Sequence, residues 1–382
     1  MPGRDRTVAV ICEYNPFHFG HLHQLGELKG RYKTVIGVMS GDTVQRGEVA
    51  IADKYVRARA AVRCGMNAVF SLPFPYCCAS AEDFARAGVF IAGALGADSL
   101  AFGIEDDFSL VREAAEVTGG TGFRREAAAL IKTRGNLSYP KAVSLLAGER
   151  FGALMKKPNN ILAVEYLRAL KLFGSTLTPE PVLRDTRHRS SSALRDCLES
   201  DGRAHFLSLL PEESAGVYAS LNADIFPRST EKLGRTLLFL LRTRAVPHGL
   251  YGFGGGLDAR MAKEARVSAS FGELVKRCAC ASFTDARVRR AALSLLFGIS
   301  AAAVKENPKY TLLLASDAAG REFIKKASLS IPVITKPASV RNLPGDVRAA
   351  FEAETEAELA LCLCCPGNAR PVSPFEKTPF VL

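Results

Sequence analysis

The sequence predicts an α/β fold: a Rossmann-like domain with a parallel sheet over residues 1–200, followed by a mainly α-helical domain over 201–382. Three observations predict it. Short apolar runs at Thr7–Cys12, Thr34–Met39, Ala68–Leu72 and Ser99–Phe102 alternate with helical patterns at the spacing of βαβ units. Beyond Asp201 the periodicity becomes chiefly helical, with a break at Gly252–Gly256. A length of 382 residues suits two domains, and 48% apolar with 23% charged residues excludes disorder, collagen and coiled coil.

Each element has a local reason. TVAVIC at Thr7–Cys12 reads as a buried strand stopped by Glu13-Tyr-Asn-Pro16. A helix is expected from near His21 to Gly30. Thr34–Met39 is a second buried strand, closed by Ser40-Gly-Asp42. Asp53 can cap a helix running through Cys64, because its carboxylate can accept from the free amides of a first turn. Ala68–Leu72 is a third strand, ended by Pro73 and Pro75. Ser80 can cap a helix to Leu95, and Ser99–Phe102 is a fourth strand. Residues 107–175 read as mostly helical. Pro181–Arg184 is a candidate fifth strand, with a helix following from about Ser191.

Charge and cysteine usage narrow the class. No apolar run approaches the ~20 residues that span a bilayer, and the N-terminus has no signal-peptide pattern, so no membrane is expected and a cytoplasmic home is. Ten cysteines, five scattered and five in small clusters at Cys278/Cys280 and Cys362/Cys364/Cys365, read in a chain of this size as buried thiols rather than a disulfide framework or a zinc site, and no metal-ligand set is expected. The formal net charge is +11. Residues 241–345 hold 17 Lys/Arg against 7 Asp/Glu, a net of +10. A basic excess confined to one stretch is the footprint of a polyanion partner.

The segment that carries chemistry is Glu13-Tyr-Asn-Pro-Phe-His18-Phe-Gly-His21, just after the first strand. Ligands of open α/β sheets sit outside the carboxyl ends of the strands, where the next helix offers its free amides to phosphate. His-x-Gly-His places two imidazoles about one turn apart there, and Gly20 lets backbone pass close to a nucleotide. Two imidazole N–H donors can hold a triphosphate and stabilise charge as the α-phosphate is attacked, which is the logic of adenylyl transfer. A second phosphate clamp is expected at Ser190-Ser-Ser192-Ala-Leu-Arg195, which opens a helix. There is no Walker A sequence, and Gly252–Gly256 does not satisfy G-x-G-x-x-G.

Together with Met39–Glu48, Ala52-Asp-Lys54, Ser71–Phe74, Ser80-Ala-Glu82, Phe102-Gly103, Lys157-Pro-Asn-Asn-Ile-Leu162 and Ala315–Glu322, these residues resemble the bacterial tRNA(Met) cytidine acetate ligases, HxGH nucleotidyltransferases, over nearly the whole chain. The resemblance implies activation of acetate by ATP to acetyl-adenylate and pyrophosphate. Transfer of the acetyl group to N4 of the wobble cytidine of elongator tRNA(Met) follows. It implies an ATP site on Ile11, Cys12, Glu13, Tyr14, Asn15, Pro16, Phe17, His18, Phe19, Gly20, His21, Leu22, His23 and Gln24. Gly103, one or both of Asn159 and Asn160, and Arg184 complete that site. His18 and His21 are expected to be catalytic, Ser190 and Arg195 to steady pyrophosphate, and Mg²⁺ to accompany ATP. Asp42, Gln45, Arg46 and Lys54 are expected near the reacting groups, with Asp42 and Lys54 as catalytic candidates.

The chain departs from the family after Arg184, where Asp185-Thr-Arg-His-Arg-Ser190 is short and basic in place of a Gly-rich stretch. Arg187 and Arg189 are therefore candidate phosphate contacts. Phe19 also stands where the family has a small polar residue. Rival readings are a nucleotidylyltransferase acting on a small molecule, a catalytically silent RNA-binding relative and a relative of aminoacyl-tRNA synthetases. The localised charge opposes the first, the intact His18, Gly20, His21 and Arg195 the second, and the lack of a KMSKS-type signature the third.

Overall fold

The first strand lies at the centre of the molecule, and its neighbours define the architecture. The computed structural model describes residues 6–382. β1 (Thr7–Cys12) pairs in parallel with β2 (Thr34–Ser40) on one side. A short hairpin of β3 (Thr43–Val44) and β4 (Glu48–Val49) follows, and β5 (Ala68–Leu72) then pairs with β2. On the other side of β1 run β6 (Ser99–Ile104) and β7 (Thr178–Leu183), again parallel. The chain thus winds in both directions from β1, which puts a topological switch point beside its carboxyl end.

The predicted strands are present; β2 and β6 run slightly longer than the apolar runs suggest, and β7 starts three residues before Pro181 and ends at Leu183, leaving Arg184 outside it. Alternate residues of β1 enter two cores. Val8 and Val10 face a layer with Leu25, Leu28 and Val35, whereas Ala9 and Ile11 face one with Ile36, Phe84 and Ile91. Both faces are covered, which is why the run reads as continuously apolar. The helix after β1 spans Phe19–Lys29 and starts before the expected His21, because His18 itself caps it. Asp53 caps Lys54–Arg63 by accepting from Val56 N, and Ser80 caps Ala81–Ala94 through Asp83 N.

The expectation of a mainly helical second half needs one correction. β8 (Thr311–Ser316) is a buried strand that joins the sheet antiparallel to β5. Thr311 Oγ1 donates to Ser71 O at 2.6 Å, and Leu312 N donates to Ser71 Oγ at 2.9 Å, where the β5 register shifts. β9 (Val333–Ile334) and β10 (Phe380–Val381) add to β8, giving an eight-stranded sheet. A division near residue 200 is therefore not a division of the sheet. A separate helical core does exist: Leu237, Leu241, Leu257, Met261, Leu274 and Val288 pack together among the helices of residues 234–297. Among the described residues no helix is long and apolar enough to cross a membrane, and all ten cysteines are free thiols.

Candidate active site

A cavity of about 1090 Å³ opens at the carboxyl ends of β1, β6 and β7, and it gathers most of the residues the sequence singles out. Ile11, Cys12, Glu13, Tyr14, His18, Gly20, His21, His23, Gln24, Gly103, Asn159, Arg184, Ser190 and Arg195 line it.

The histidines are held in one tautomer. Gly20 N donates to His18 Nδ1 at 3.0 Å, and His18 N donates to His21 Nδ1 at 3.3 Å. Each Nδ1 accepts, so a neutral ring carries its proton on Nε2. The rings stack with centroids 3.8 Å apart. Burial, helped by Arg184 and His188, lowers the His18 pKa to about 4. Burial, His18 and Arg184 push His21 well below its ordinary value. The result is two neutral Nε2–H donors at a helix N-terminus, beside the switch point. A Cβ on Gly20 would stand 3.0 Å from His18 Cε1, so glycine there keeps the imidazole in its cap position.

These depressed pKa values have a consequence for stability. The unfolded chain takes up protons near pH 6.5 that the folded His18 refuses until about pH 4, so the unfolded state binds more protons in that interval. Stability contributed by the neutral ring is therefore present above about pH 6.5 and is lost as pH falls toward 4. The urea midpoint of wild type should fall relative to that of His18→Asn on acidification through this window. A midpoint difference independent of pH would contradict the assignment.

Arg195 links the two phosphate motifs. Its Nη1 donates to Asn15 O at 3.0 Å, while Nη2 reaches Ser192 Oγ and Glu48 Oε2, both at 3.3 Å. Ser190 caps the helix Ser191–Ser200 by accepting from Ala193 N, and the cavity is lined by Ser190, Ser191 and Ser192. On the far side Asn159 Nδ2 donates to Glu105 Oε1 at 2.9 Å. Glu13, raised by burial, accepts from Gln45 N at 2.7 Å and ties the β3–β4 turn to the end of β1.

Several expected residues lie elsewhere. Asn15, Pro16, Phe17 and Leu22 do not line the cavity; they belong to the motif's scaffold. Phe17 is fully buried and its carbonyl accepts from Ser214 Oγ, and Asn15 Oδ1 accepts from Ile51 N. Phe19 faces a second, smaller cavity. Of the asparagine pair, only Asn159 reaches the main cavity. Asn160 is fully buried and braces the loop after β6, accepting from Glu105 N and donating to Asp106.

The group Asp42, Gln45, Arg46 and Lys54 is split by the hairpin. Gln45 and Arg46 sit on its turn and line the cavity; Asp42 and Lys54 do not. Lys54 is buried against Glu354 and Glu358 of the C-terminal helix Gly345–Leu361. Asp42 accepts from Lys54 N and pairs with Arg228 at 3.0 Å. Burial opposes its charge, but Arg228 and Lys54 hold its pKa at about 2. The expectation that these two groups stand at the reacting centre is thus not matched by their position. They join the sheet to the C-terminal half.

The structure also adds residues that the sequence did not place at the site. Phe84, Tyr139, Leu162 and Tyr166 wall one side, and Thr284, Arg287 and Arg290 reach the rim from the helix Asp285–Phe297 and its cap. Gly47 makes that approach possible. Its φ is +75°, and a Cβ would stand 2.6 Å from Arg290 N. The basic run Arg287-Val-Arg-Arg290 carried a charge signal in the sequence, but nothing located it at the site.

Comparison with known proteins agrees with this geometry. The model of the HIGH Nucleotidyl Transferase family matches residues 6–370. A tRNA(Met) cytidine acetate ligase of Syntrophotalea carbinolica is 36% identical over 359 residues, covering 86% of this chain and 84% of its own. The chain belongs to the tRNA(Met) cytidine acetate ligase family. The ligase of Alkaliphilus metalliredigens is 32% identical over 372 residues, covering 87% and 88%. The crystal structure of Thermotoga maritima TmcAL bound with alpha-thio ATP superposes with a TM-score of 0.90 at 27% identity, over 99% of both chains. Its apo form gives 0.89. Of the motifs shared with the ligase family, those at Glu13–His21, Phe102-Gly103 and Asn159 thus fall at the strand ends that line the cavity.

Proposed function

We propose that this protein is an ATP-dependent ligase that acetylates N4 of the wobble cytidine of elongator tRNA(Met), with residues 201–382 contributing the basic tRNA-binding surface and the cytoplasm as its location. The observation that carries this reading is the pair of neutral Nε2–H donors of His18 and His21 inside a cavity whose rim is completed by Arg287 and Arg290 of the basic half. ATP would lie along the end of β1, with Gly103 and Asn159 on one side and the phosphates toward the histidines. An acetate oxygen attacks the α-phosphorus, and pyrophosphate leaves. Charge developing on the phosphoryl oxygens is met by the two Nε2–H groups, by the helix amides after Ser190 and by Arg195. The N4 amine of cytidine then attacks the acetyl carbonyl, and AMP leaves with the electron pair of the broken acyl–oxygen bond.

The carboxylates that line the cavity have partners: Glu13 with Gln45 N, Glu48 with Arg195 and Arg289, Glu82 with Arg124, Glu165 with Arg168 and Asp185 with Arg187. Among the described residues, the only trio able to hold a metal is Cys197, Asp201 and His205, none of which lines the cavity. An ion carried by the triphosphate would supply charge neutralisation and keep much of its water shell.

A transferase acting on a small phosphorylated acceptor is disfavoured by the rim that the basic half contributes. Purified protein incubated with ATP, Mg²⁺, labelled acetate and elongator tRNA(Met) is expected to yield N4-acetylcytidine only when ATP, acetate and tRNA are all present. ATP cleavage to AMP and pyrophosphate with no acetylcytidine would favour the other acceptor.

A further inference from the structure

Beside the main cavity lies a second one of about 220 Å³, and His18, His188 and Arg189 line both. Its floor is apolar, formed by Leu194 and Leu209. Its wall is the ring of Phe19, which is 42% exposed although it is a large apolar side chain at the first position of a helix. The His188 imidazole stands 6.1 Å from that ring, inclined by 24°. Arg187 and Arg189 also line this cavity. Asp185 holds this platform in place: it accepts from Arg187 Nε at 3.0 Å and Nη2 at 2.7 Å, and lies 3.4 Å from His188 Nε2. The platform is built before anything binds to it.

An exposed aromatic ring beside apolar side chains, with two guanidinium groups in the same cavity, matches an unstacked nucleobase with its flanking phosphates. A base offers two apolar faces and a charged backbone, and a free phosphate would leave the Phe19 ring unused. The shared wall at His18 sets the small cavity next to the phosphate end of the large one, where an acceptor nucleotide must arrive. The geometry points to a nucleobase subsite: Phe19, His188, Arg187 and Arg189 receive a nucleotide adjacent to the target cytidine in the single-stranded loop. This rests on the tRNA reading above, and it gives the divergent 185–190 segment a role in holding RNA.

The test uses synthetic anticodon stem-loops of elongator tRNA(Met), one intact and two with an abasic residue on either side of the cytidine. They are titrated by fluorescence anisotropy against wild type, Phe19→Ala and Phe19→Tyr. One abasic substitution should weaken wild-type binding by about tenfold, in line with the loss of one stacked base. The same substitution should cost Phe19→Ala nothing further, and Phe19→Tyr should behave as wild type. The subsite is overturned if Phe19→Ala binds the intact loop as tightly as wild type, if the two losses add in full, or if wild type binds no loop. The reaction is judged separately by acetylcytidine formation on the full tRNA. A wild-type enzyme that acetylates while the losses add refutes the subsite alone. Coupled losses without acetylation keep the subsite and refute the reaction.

Discussion

His21→Ala is expected to slow acetate-dependent ATP–pyrophosphate exchange by about 10²–10³-fold, the usual cost of removing one donor aimed at developing charge. The ring is partly buried and held against His18, Tyr14 and Phe17, with centroids 3.8, 4.8 and 5.6 Å away. His18→Ala should cost as much in exchange and also about 1 kcal/mol of stability, because the same imidazole caps the helix through Gly20 N. His18→Asn separates the two roles. Its carboxamide oxygen can accept from Gly20 N and restore the cap, while the shorter side chain cannot place a donor where Nε2 stands. Exchange should therefore stay low in His18→Asn while its melting temperature returns toward wild type. The double alanine variant should lose less than the product of the single losses, since both donors serve one transition state. Near wild-type exchange in both single variants would sink the assignment.

Lys54→Ala should destabilise the fold by about 3–5 kcal/mol, the cost of removing one partner from a buried ion pair. Lys54 is 1% exposed and its ammonium lies 2.5 Å from Glu354 and 3.3 Å from Glu358. Burial disfavours its charge, but the two carboxylates outweigh this and lift its pKa well above the ordinary value. Tyr310 OH also donates to Glu354, and Lys377 pairs with Glu358 at 2.5 Å. Truncating Lys54 strands a buried carboxylate between the sheet and the helix Gly345–Leu361. The midpoint of urea denaturation should fall sharply, and Lys54→Met should do little better because the charge, not the volume, is missing. A variant with a wild-type midpoint and no exchange would return Lys54 to the reaction.

The contrast between these residues shows what the sequence could and could not tell. His18 and His21 are four-letter neighbours on one helix turn, so their joint position follows from local geometry, and so do the caps at Asp53, Ser80 and Ser190. Asp42 and Lys54 lie on the same stretch as Gln45 and Arg46, and proximity in sequence suggested one site. A short hairpin turned the middle pair inward and left the outer pair behind it. β8 was as apolar as the other strands, yet it was hidden inside a helical context, and its partner β5 is more than 200 residues away.

The sequence by itself determined the βαβ order, the positions of β1, β2, β5 and β6, the histidine pair at the end of β1 and the family, because each depends on periodicity, capping or contiguous motif. Only the tertiary structure decided that the sheet is closed by strands from the C-terminal half, that Glu354 and Glu358 neutralise Lys54, and that Arg287 and Arg290 stand at the rim. It also decided that Phe19 and His188 share a second cavity. These depend on which distant segments meet, and close approaches such as Gly47 against Arg290 select that pairing through three-dimensional packing that no local window contains.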